Sequence, residues 1–250
     1  MKKSTFFKSA SLALACAAAT TAFSGCGSKN YAENNTAFFI GASGPLTGSA
    51  ASYGIAVQRG AELAVEEINA KNEDGMRFTF EIKDDKASAA DVPTNFAALY
   101  EKGMQLSLGA VTSGACLSFK GLAAEKNLFT LCPSATADDV TKDADTVFQM
   151  CFSDSNQGTV AAQQYFNTDA VPAGTKLGIL YCSNDAYSKG IYDTFKAALD
   201  TSKFAEVAET SFRNDASGNP PTDMNSQVET LKNCSYFFMP VYYTPAVTFM

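Results

Sequence analysis

Two kinds of apolar pattern alternate along the chain. Short continuous apolar runs, such as 37–42, 106–111 and 177–182, predict buried strands, because a strand covered on both faces carries apolar residues at consecutive positions. Between these runs, stretches such as 53–72 carry apolar residues at helical spacing, with glutamates off the apolar face. Strands that alternate with helices indicate an α/β fold, in which helices flank parallel sheets.

The predicted elements form two successive βα series, separated by a polar connector at 151–158. Two such series predict two lobes of similar architecture, 37–152 and 153–250. The predicted strands are 37–42, 76–82, 106–111, 128–131, 147–150, 177–182, 206–212 and 236–241. The predicted helices are 53–72, 91–103, 115–127, 157–167, 190–202 and 223–232, and a further helix opens at 244–245.

The segment 106–122 carries the clearest candidate binding chemistry. Its strand turns through 112–114 into a helix, and the first N–H groups of a helix have no intrahelical partner. These N–H groups and the helix dipole favour an anion, and Ser113 adds a hydroxyl at the same point. The alternative is that Ser113 only caps the helix, which is the commonest role of a serine in this position.

The remaining strand ends are rich in hydroxyl groups and tyrosines but hold no clear nucleophile–base pair. The chain contains no His, which excludes Ser-His-Asp and Cys-His catalysis and every His-ligated metal site. Asp84 and Asp85 could be mistaken for a metal pair, but without a His or a nearby third acid they are expected to be loop and cap residues. The net charge of −7 argues against a nucleic-acid partner.

The first 25 residues have the pattern of a bacterial lipoprotein leader. Lys2, Lys3 and Lys8 precede an apolar stretch at 10–23 that is too short to span a bilayer. The following Ser-Gly-Cys26 resembles a lipobox, in which a peptidase cuts before the cysteine and the cysteine receives lipid. Residues 26–36 would then be a polar tether. The alternative is an ordinary signal peptide with a chance cysteine.

Five further cysteines follow the leader and Cys26, and none of them has C-x-x-C spacing, so neither a zinc site nor a redox motif is indicated. Buried free thiols are the simplest expectation. In an oxidising compartment a single bridge such as Cys132–Cys151 is an alternative. The five are Cys116, Cys132, Cys151, Cys182 and Cys234.

The ordered set of motifs in the mature chain resembles the Leu/Ile/Val-binding periplasmic binding proteins, the substrate-binding proteins of branched-chain amino-acid ABC transporters. The resemblance covers nearly all of the mature chain, and its specificity lies in the order of the motifs rather than in any one of them. The motifs are 41–48 (GASGPLTG), 60–69 (GAELAVEEIN), 84–85 (DD), 109–113 (GAVTS), 133–136 (PSAT), 154–158 (DSNQG) and Tyr187.

The resemblance implies the type I binding-protein fold, in which two Rossmann-like lobes close on an amino acid. Ser113, with its backbone N–H, and Thr136 match the positions that hold the ligand α-carboxylate. The carbonyl of Ser134 and the Thr136 hydroxyl match groups near the α-ammonium.

The resemblance implies further contacts from both lobes. Tyr187 and Tyr242 match second-lobe residues that line the cleft, although half-buried surface tyrosines are the alternative. Tyr53 matches a first-lobe residue near the side-chain pocket, after a loop of different length. Asp154 matches a residue at the crossover between lobes, with a solvated loop residue or helix cap as the alternative.

The family continues well beyond Met250, so the second lobe is expected to be incomplete. The acid that the family supplies for the ligand ammonium lies beyond Tyr242 and is not in this chain. The resemblance also implies a monomeric protein without a cofactor, held by its lipid on the extracytoplasmic face of the membrane, that delivers its ligand to ABC permease subunits. The ligand is expected to be Leu, Ile or Val, while other amino acids, amides and aromatic acids stay open.

Two other functions remain as alternatives. A ligand-binding sensory module of a receptor shares the fold. A dinucleotide-dependent enzyme is less well supported, because Gly41, Gly44 and Gly48 do not have the G-x-G-x-x-G spacing and no acid closes the second strand at the expected distance.

Overall fold

Two parallel sheets form the framework of the computed structural model, which describes residues 37–71 and 75–250. The predicted leader, the lipidation site Cys26 and the tether lie outside the described residues. The architecture is the α/β fold that the alternation of apolar runs predicts. In the described parts of the chain, no helix is both long and apolar enough to cross a membrane.

The first sheet has the strand order β2-β1-β3-β4-β5, and all of its neighbouring strands are parallel. β1 and β2 pair along their whole length, which makes them the most regular part of the sheet. Its strands are β1 Ala37–Gly44, β2 Arg77–Asp84, β3 Leu106–Ala110, β4 Thr130–Cys132 and β5 Val147–Gln149. Its helices are α1 Ala51–Lys71, α2 Val92–Glu101 and α3 Ser113–Glu125, followed by a 3₁₀ turn at Asp138–Val140.

The second sheet has the order β7-β6-β8 and is also parallel. Its strands are β6 Lys176–Cys182, β7 Glu206–Phe212 and β8 Tyr236–Phe238. Its helices are α4 Asp154–Ala161, α5 Ala186–Ala198, α6 Asn225–Leu231 and α7 Tyr243–Phe249. A π-helical segment, Ala162–Phe166, continues α4, and a 3₁₀ turn occupies Thr201–Lys203.

Each sheet has its own apolar core. Phe96 and Leu99 from α2 pack with Phe119 from α3 against the first sheet, and the rings of Phe96 and Phe119 meet edge to face at 5.1 Å. In the second sheet Phe195 from α5 is fully buried and stacks on Phe238 at 3.7 Å. These aromatic contacts fix α2, α3 and α5 on the sheets and so set where their N-termini point.

Several helices begin earlier than the apolar spacing predicts, among them α1, which begins at Ala51 rather than 53. α5 begins at Ala186 rather than 190, because the Asp185 carboxylate accepts a hydrogen bond from Ser188 N and caps the helix. Tyr187 therefore lies in the first turn of a helix, not in a loop. α3 begins at Ser113 rather than 115, and α4 begins at Asp154, inside the predicted connector.

Some apolar positions with helical spacing are exposed in the structure. Helical spacing predicts that Ile68 of α1 and Tyr100 of α2 lie on apolar faces, but Ile68 is 48% exposed and Tyr100 is 43% exposed. In α2 the helical spacing locates the buried face, since Phe96 and Leu99 are buried, whereas the buried residue of α1 is Gly54. The prediction errs in how much of each helix is buried, because helical spacing gives the direction of an apolar face but not how much structure covers it.

The close approach of α4 to α5 depends on Gly158. A Cβ at Gly158 would lie 2.1 Å from Thr194 Oγ1, 2.4 Å from the Ile191 carbonyl oxygen and 2.6 Å from Phe195 N. A side-chain hydroxyl can move, but the backbone of α5 can move only with the whole helix. The two helices therefore pack at a distance that only a glycine allows.

We expect Gly158→Ala to lower the free energy of unfolding by about 1–3 kcal/mol, the usual range for overpacking, despite the better helix propensity of Ala. Thermal and urea unfolding of the purified protein measure the change. The matched control is Gly121→Ala in α3, where no described atom lies within 4 Å of the added methyl group. That control should gain about 0.5–1 kcal/mol. Equal effects of the two substitutions would contradict the packing argument.

Candidate functional site

The carboxyl ends of strands from both sheets face one cavity of about 180 Å³. In open α/β sheets this is where ligands bind, because the loops after parallel strands converge there. Its wall comes from the β3–α3 turn, the loop after β4, the N-terminal parts of α1, α4 and α5, and the loop after β8. The lining residues are Tyr53, Val111, Thr112, Ser113, Ser134, Ala135, Thr136, Gln157, Tyr187 and Tyr242.

The structure brings six of the seven predicted ligand-binding residues to this cavity. They are separated by as many as 189 positions in the sequence and come from both sheets. Asp154, the seventh, lies beside the cavity without lining it. The six are Tyr53, Ser113, Ser134, Thr136, Tyr187 and Tyr242.

Ser113 joins the two loops of the first sheet that meet at the cavity. Its Oγ accepts hydrogen bonds from the backbone N–H groups of Thr136 and Ala137, both at 3.2 Å. Ser113 is the first helical residue of α3, and Thr112 is the N-cap, so the alternative that Ser113 caps the helix is wrong. Because its oxygen accepts both bonds, the Ser113 hydroxyl keeps its proton for another acceptor.

Two polar groups that the sequence did not single out are buried at the cavity. Thr112 Oγ1 and Gln157 Nε2 have no hydrogen-bond partner among the described residues. A buried polar group without a partner costs about 1–3 kcal/mol, so a ligand that supplies one is favoured. Gln157 was part of the motif 154–158, and Thr112 stood next to Ser113, but only the burial reveals that both groups need partners.

Three tyrosines form an aromatic wall that crosses from α1 to the second sheet. Tyr187 stacks on Tyr242 with ring centroids 5.1 Å apart, and Tyr53 meets Tyr242 at 5.5 Å in an edge contact. Burial raises the pKa of Tyr187 to about 12 and raises that of Tyr242 well above its ordinary value. Their hydroxyl groups are therefore protonated at neutral pH and can act as hydrogen-bond donors.

Asp154 connects the first sheet to α4. Its backbone N–H donates to the Thr136 carbonyl at 2.8 Å, and the residue is 1% exposed. Both carboxylate oxygens are buried without an aligned hydrogen-bond partner in the described part of the chain. Burial raises the pKa of Asp154 to about 6, although the Thr136 hydroxyl nearby acts in the opposite direction. Asp154 is therefore neither a solvated loop residue nor the cap of α4, which is Ser153.

Asp84, the last residue of β2, and Asp85, which follows it, bind neighbouring loops; neither caps a helix, so the predicted cap role is wrong. Asp84 accepts bonds from Leu46 N and from the Thr47 hydroxyl, and Asp85 accepts one from the Ser43 hydroxyl at 2.9 Å. Burial raises the pKa of Asp85 to about 6. Across residues 37–71 and 75–250, no three His, Cys, Asp or Glu side chains are grouped so that they could hold a metal ion.

A wider apolar cleft of about 590 Å³ adjoins the cavity. Gln157 and Tyr187 line both spaces, so the polar cavity opens directly onto apolar surface. The arrangement offers hydrogen-bonding groups at one end and hydrocarbon contacts at the other. The other residues of the cleft are Phe152, Asn156, Val160, Ala161, Ile191, Phe238 and Pro240.

The structure has two parallel sheets flanked by helices, with a polar cavity at the facing strand ends. This is the architecture of the type I periplasmic binding-protein fold. The family model described as periplasmic binding protein matches residues 37–242. The chain belongs to this family. Membership implies an extracytoplasmic location, and the relatives are solute-binding proteins rather than enzymes.

Similar proteins carry names that refer to branched-chain amino acids. The chain is 34% identical to the Leu/Ile/Val-binding protein BraC3 of Rhizobium johnstonii and 30% identical to Leu/Ile/Val-binding protein homolog 3 of Brucella melitensis. Each match covers 67% of this chain and 45% of the relative. The chain thus spans about half the length of these relatives.

A solved structure has the same fold. It is the branched-chain amino-acid transporter substrate-binding protein LivJ from Streptococcus pneumoniae in complex with isoleucine, with 28% identity and a TM-score of 0.70. The match covers 84% of this chain and 58% of LivJ.

The raised pKa of Asp154 predicts how its removal acts on stability. The folded state holds this proton up to about pH 6, whereas an unfolded Asp loses it near pH 3.9, so stability falls as the pH rises between these values. Asp154→Asn should therefore raise the Tm of the ligand-free protein at about pH 7, and the gain should vanish near pH 4. Thermal unfolding at several pH values measures this.

Asp138→Asn is the control, for which we expect a change in Tm of the opposite sign. Although burial acts to raise it, hydrogen bonds from the Ser155 hydroxyl and N–H keep the pKa of Asp138 below its ordinary value. Its substitution should lower the Tm at neutral pH, and the loss should fade as the pH falls through the pKa. A pH-independent effect of Asp154→Asn would contradict the assignment of its buried charge.

Proposed function

We propose that this protein captures an amino acid, with Leu, Ile or Val as the first choice, and delivers it to an ABC permease. The observation that carries the proposal is the meeting of a helix N-terminus, several hydroxyl groups and an apolar cleft at one cavity. This combination suits a ligand with a carboxylate at one end and a hydrocarbon side chain at the other. The names of the relatives support the same ligand class.

The N-terminus of α3 receives the ligand carboxylate. Its first N–H groups have no intrahelical partner, and the helix dipole adds partial positive charge there. The Ser113 hydroxyl has a proton to donate, and Thr112 Oγ1 lacks a partner in the described structure. No Lys or Arg is among the lining residues of the described cavity, so dipoles rather than a side-chain cation hold the anion.

The α-ammonium lies on the side of Ser134, Thr136 and Asp154. The Ser134 carbonyl can accept a hydrogen bond from the ammonium. The Thr136 hydroxyl can accept another from the ammonium and donate its own proton to the carboxylate. Asp154, buried beside Thr136, supplies negative charge close to the cavity, and a bound ammonium would favour its ionised form. Asp154 thus complements the positive end of a zwitterion while α3 complements the negative end.

The ligand side chain extends along the aromatic wall into the apolar cleft. Tyr187 borders both spaces, and Ile191 and Phe238 offer hydrocarbon and ring surface beyond it. Each buried methylene group contributes about 0.8 kcal/mol, which favours an aliphatic side chain over a polar one.

Binding proceeds by closure of two lobes, 37–152 and 153–250. The structure supports this division through its two separate sheets and cores. Contacts between the lobes include the hydrogen bond from Thr244 Oγ1 to the Ser49 carbonyl at 2.8 Å and the ring contact of Tyr53 with Tyr242. These contacts break when the lobes open and admit a ligand.

Cys26 carries the lipid that holds the monomeric protein on the extracytoplasmic face of the membrane. The lipobox-like sequence before Cys26 and the polar tether behind it support this part of the proposal. The tether lets the binding lobes reach the permease while the lipid stays in the bilayer.

Loss of the carboxylate contacts should weaken ligand binding. A hydrogen bond to a charged group contributes about 1.5–3 kcal/mol, so we expect Ser113→Ala or Thr136→Ala to weaken leucine binding by about ten- to a hundredfold. Isothermal titration of the full-length mature protein measures the affinity, and melting curves check that each variant is folded. Leucine amide, which lacks the carboxylate charge, should bind the unmodified protein far less well.

The matched control is Ser118→Ala, a serine of the same helix that does not line the described cavity. It should leave the affinity unchanged. Unchanged affinity in a folded Ser113→Ala/Thr136→Ala double variant would remove the carboxylate assignment and, with it, the physical argument for an amino-acid ligand.

The lipid anchor has its own test. Cys26→Ser should leave the protein unlipidated, either uncleaved or released, because the thioether to lipid needs the cysteine sulfur. Cell fractionation shows whether the protein is in the membrane, and the mass of its N-terminal peptide shows whether it carries lipid. A Cys26→Ser variant that is still recovered as a mature lipoprotein would refute the assignment.

A further inference from the structure

Two cysteines meet directly behind the proposed carboxylate site. Cys116 Sγ lies 2.6 Å from Cys132 Sγ, and both residues are 0% exposed. The separation is well inside the roughly 3.5–4.0 Å at which unbonded carbon atoms pack, although sulfur is the larger atom. Cys116 is in the first turns of α3 and Cys132 is the last residue of β4.

The backbone beside the sulfur pair leaves room for it. Gly109 has a φ of +64°, and a Cβ there would lie 2.9 Å from Cys132 Sγ and 3.7 Å from Cys116 Sγ. A side chain at 109 would compete with the sulfurs for the same space. The fold therefore brings two thiols together against Gly109, the one position of β3 that carries no side chain.

Two of the three other cysteines of the described chain have their sulfurs hydrogen-bonded to other groups. Cys151 Sγ donates to the Pro133 carbonyl at 3.5 Å, and Cys182 Sγ donates to Asn184 Oδ1 at 3.2 Å. The expected alternative bridge, Cys132–Cys151, is thus not the contact that the structure forms. Cys132 faces Cys116 instead.

We propose that Cys116 and Cys132 form a disulfide in the exported protein, which ties α3 to the end of β4 behind the ligand site. The inference rests on the extracytoplasmic location and on the contact of the two sulfurs, not on the identity of the ligand. Disulfides form and persist in such compartments. The two free thiols in contact are the reduced form from which this bond is made.

The oxidant is the disulfide of an extracytoplasmic thiol oxidoreductase. One cysteine thiolate attacks that disulfide and forms a mixed disulfide, which releases one oxidoreductase thiolate. The second cysteine then attacks the mixed disulfide, the Cys116–Cys132 bond forms, and the other oxidoreductase sulfur leaves. Two electrons and two protons pass from the two cysteines to the oxidoreductase, which leaves as a dithiol.

The bond must form before the core closes. Both residues are 0% exposed, so an oxidoreductase cannot reach either sulfur once the core has closed. Oxidation therefore belongs to the folding of the first lobe. The finished bond adds a covalent link beside the two hydrogen bonds that Ser113 accepts from Thr136 and Ala137.

Trypsin separates the relevant cysteines onto different peptides. Cleavage at lysines places Cys116 on 103–120, Cys132 on 127–142 and Cys151 on 143–176. The full-length mature protein is purified from the extracytoplasmic fraction without reductant, unfolded, alkylated with iodoacetamide and digested. Mass spectrometry should find 103–120 linked to 127–142, and the linked species should disappear when reductant precedes alkylation.

Two results would overturn the proposal. One is the recovery of Cys116 and Cys132 as fully alkylated peptides without prior reduction. The other is a link of 127–142 to 143–176, which would show the Cys132–Cys151 bridge instead. Neither result bears on leucine binding, so failure here is distinguishable from failure of the proposed function.

A stability measurement gives an independent readout. A disulfide that closes a loop of this length is expected to raise the Tm by roughly 6–12 °C in a chain of this size. Reductant present during refolding should lower the Tm of the unmodified protein by that amount and should not change Cys116→Ala/Cys132→Ala. The control Cys182→Ala removes a buried cysteine outside the pair and should keep the full response to reductant. A reductant response that survives in the double variant would assign the bond elsewhere.

Discussion

The pair of hydrogen bonds accepted by the Ser113 hydroxyl is the contact on which the proposed site depends. Without it, the β3–α3 turn and the loop after β4 would be two independent loops at a sheet edge. With it, the N-terminus of α3 and the carbonyl and hydroxyl groups of 134–136 keep a fixed relation. A ligand that contacts both loops then meets groups that are already ordered, and it loses less of its binding energy in arranging them.

A second constraint lies where the chain passes from one sheet to the other. Asp154 N bonds to the Thr136 carbonyl, and the same residue begins α4, which packs closely on α5 through Gly158. The position of α5 sets that of Tyr187, since Tyr187 lies in its first turn. One backbone hydrogen bond and one helix contact thus fix the proposed carboxylate side of the site relative to the aromatic wall.

The sequence predicts the architecture well because apolar runs and helical spacing are local signals. The strand at 206–212 agrees residue for residue, and the order of strands and helices is as expected. Helix starts are less well predicted, because the side chain of Asp185 rather than any apolar residue decides where α5 begins. Six predicted residues meet at one cavity, since loops after parallel strands converge whatever their separation in sequence.

The sequence alone does not show which individual side-chain groups are buried. The unpartnered groups of Thr112 and Gln157 and the enclosed carboxylate of Asp154 depend on the packing of distant segments. The same holds for Cys116 and Cys132, whose spacing of 16 residues has no meaning until α3 and β4 lie side by side. For the same reason the sequence predicts more buried helix surface than the structure has, as the exposed Ile68 and Tyr100 illustrate.

The aromatic wall gives the protein a built-in optical probe. The 250 residues contain no Trp, so tyrosines dominate their near-ultraviolet absorption and emission. Tyr53 belongs to the proposed first lobe, while Tyr187 and Tyr242 belong to the proposed second lobe, and the ring of Tyr242 contacts both other rings. Separation of the proposed lobes would change the coupling between these rings, so near-ultraviolet circular dichroism can test for opening and closing in the unlabelled chain.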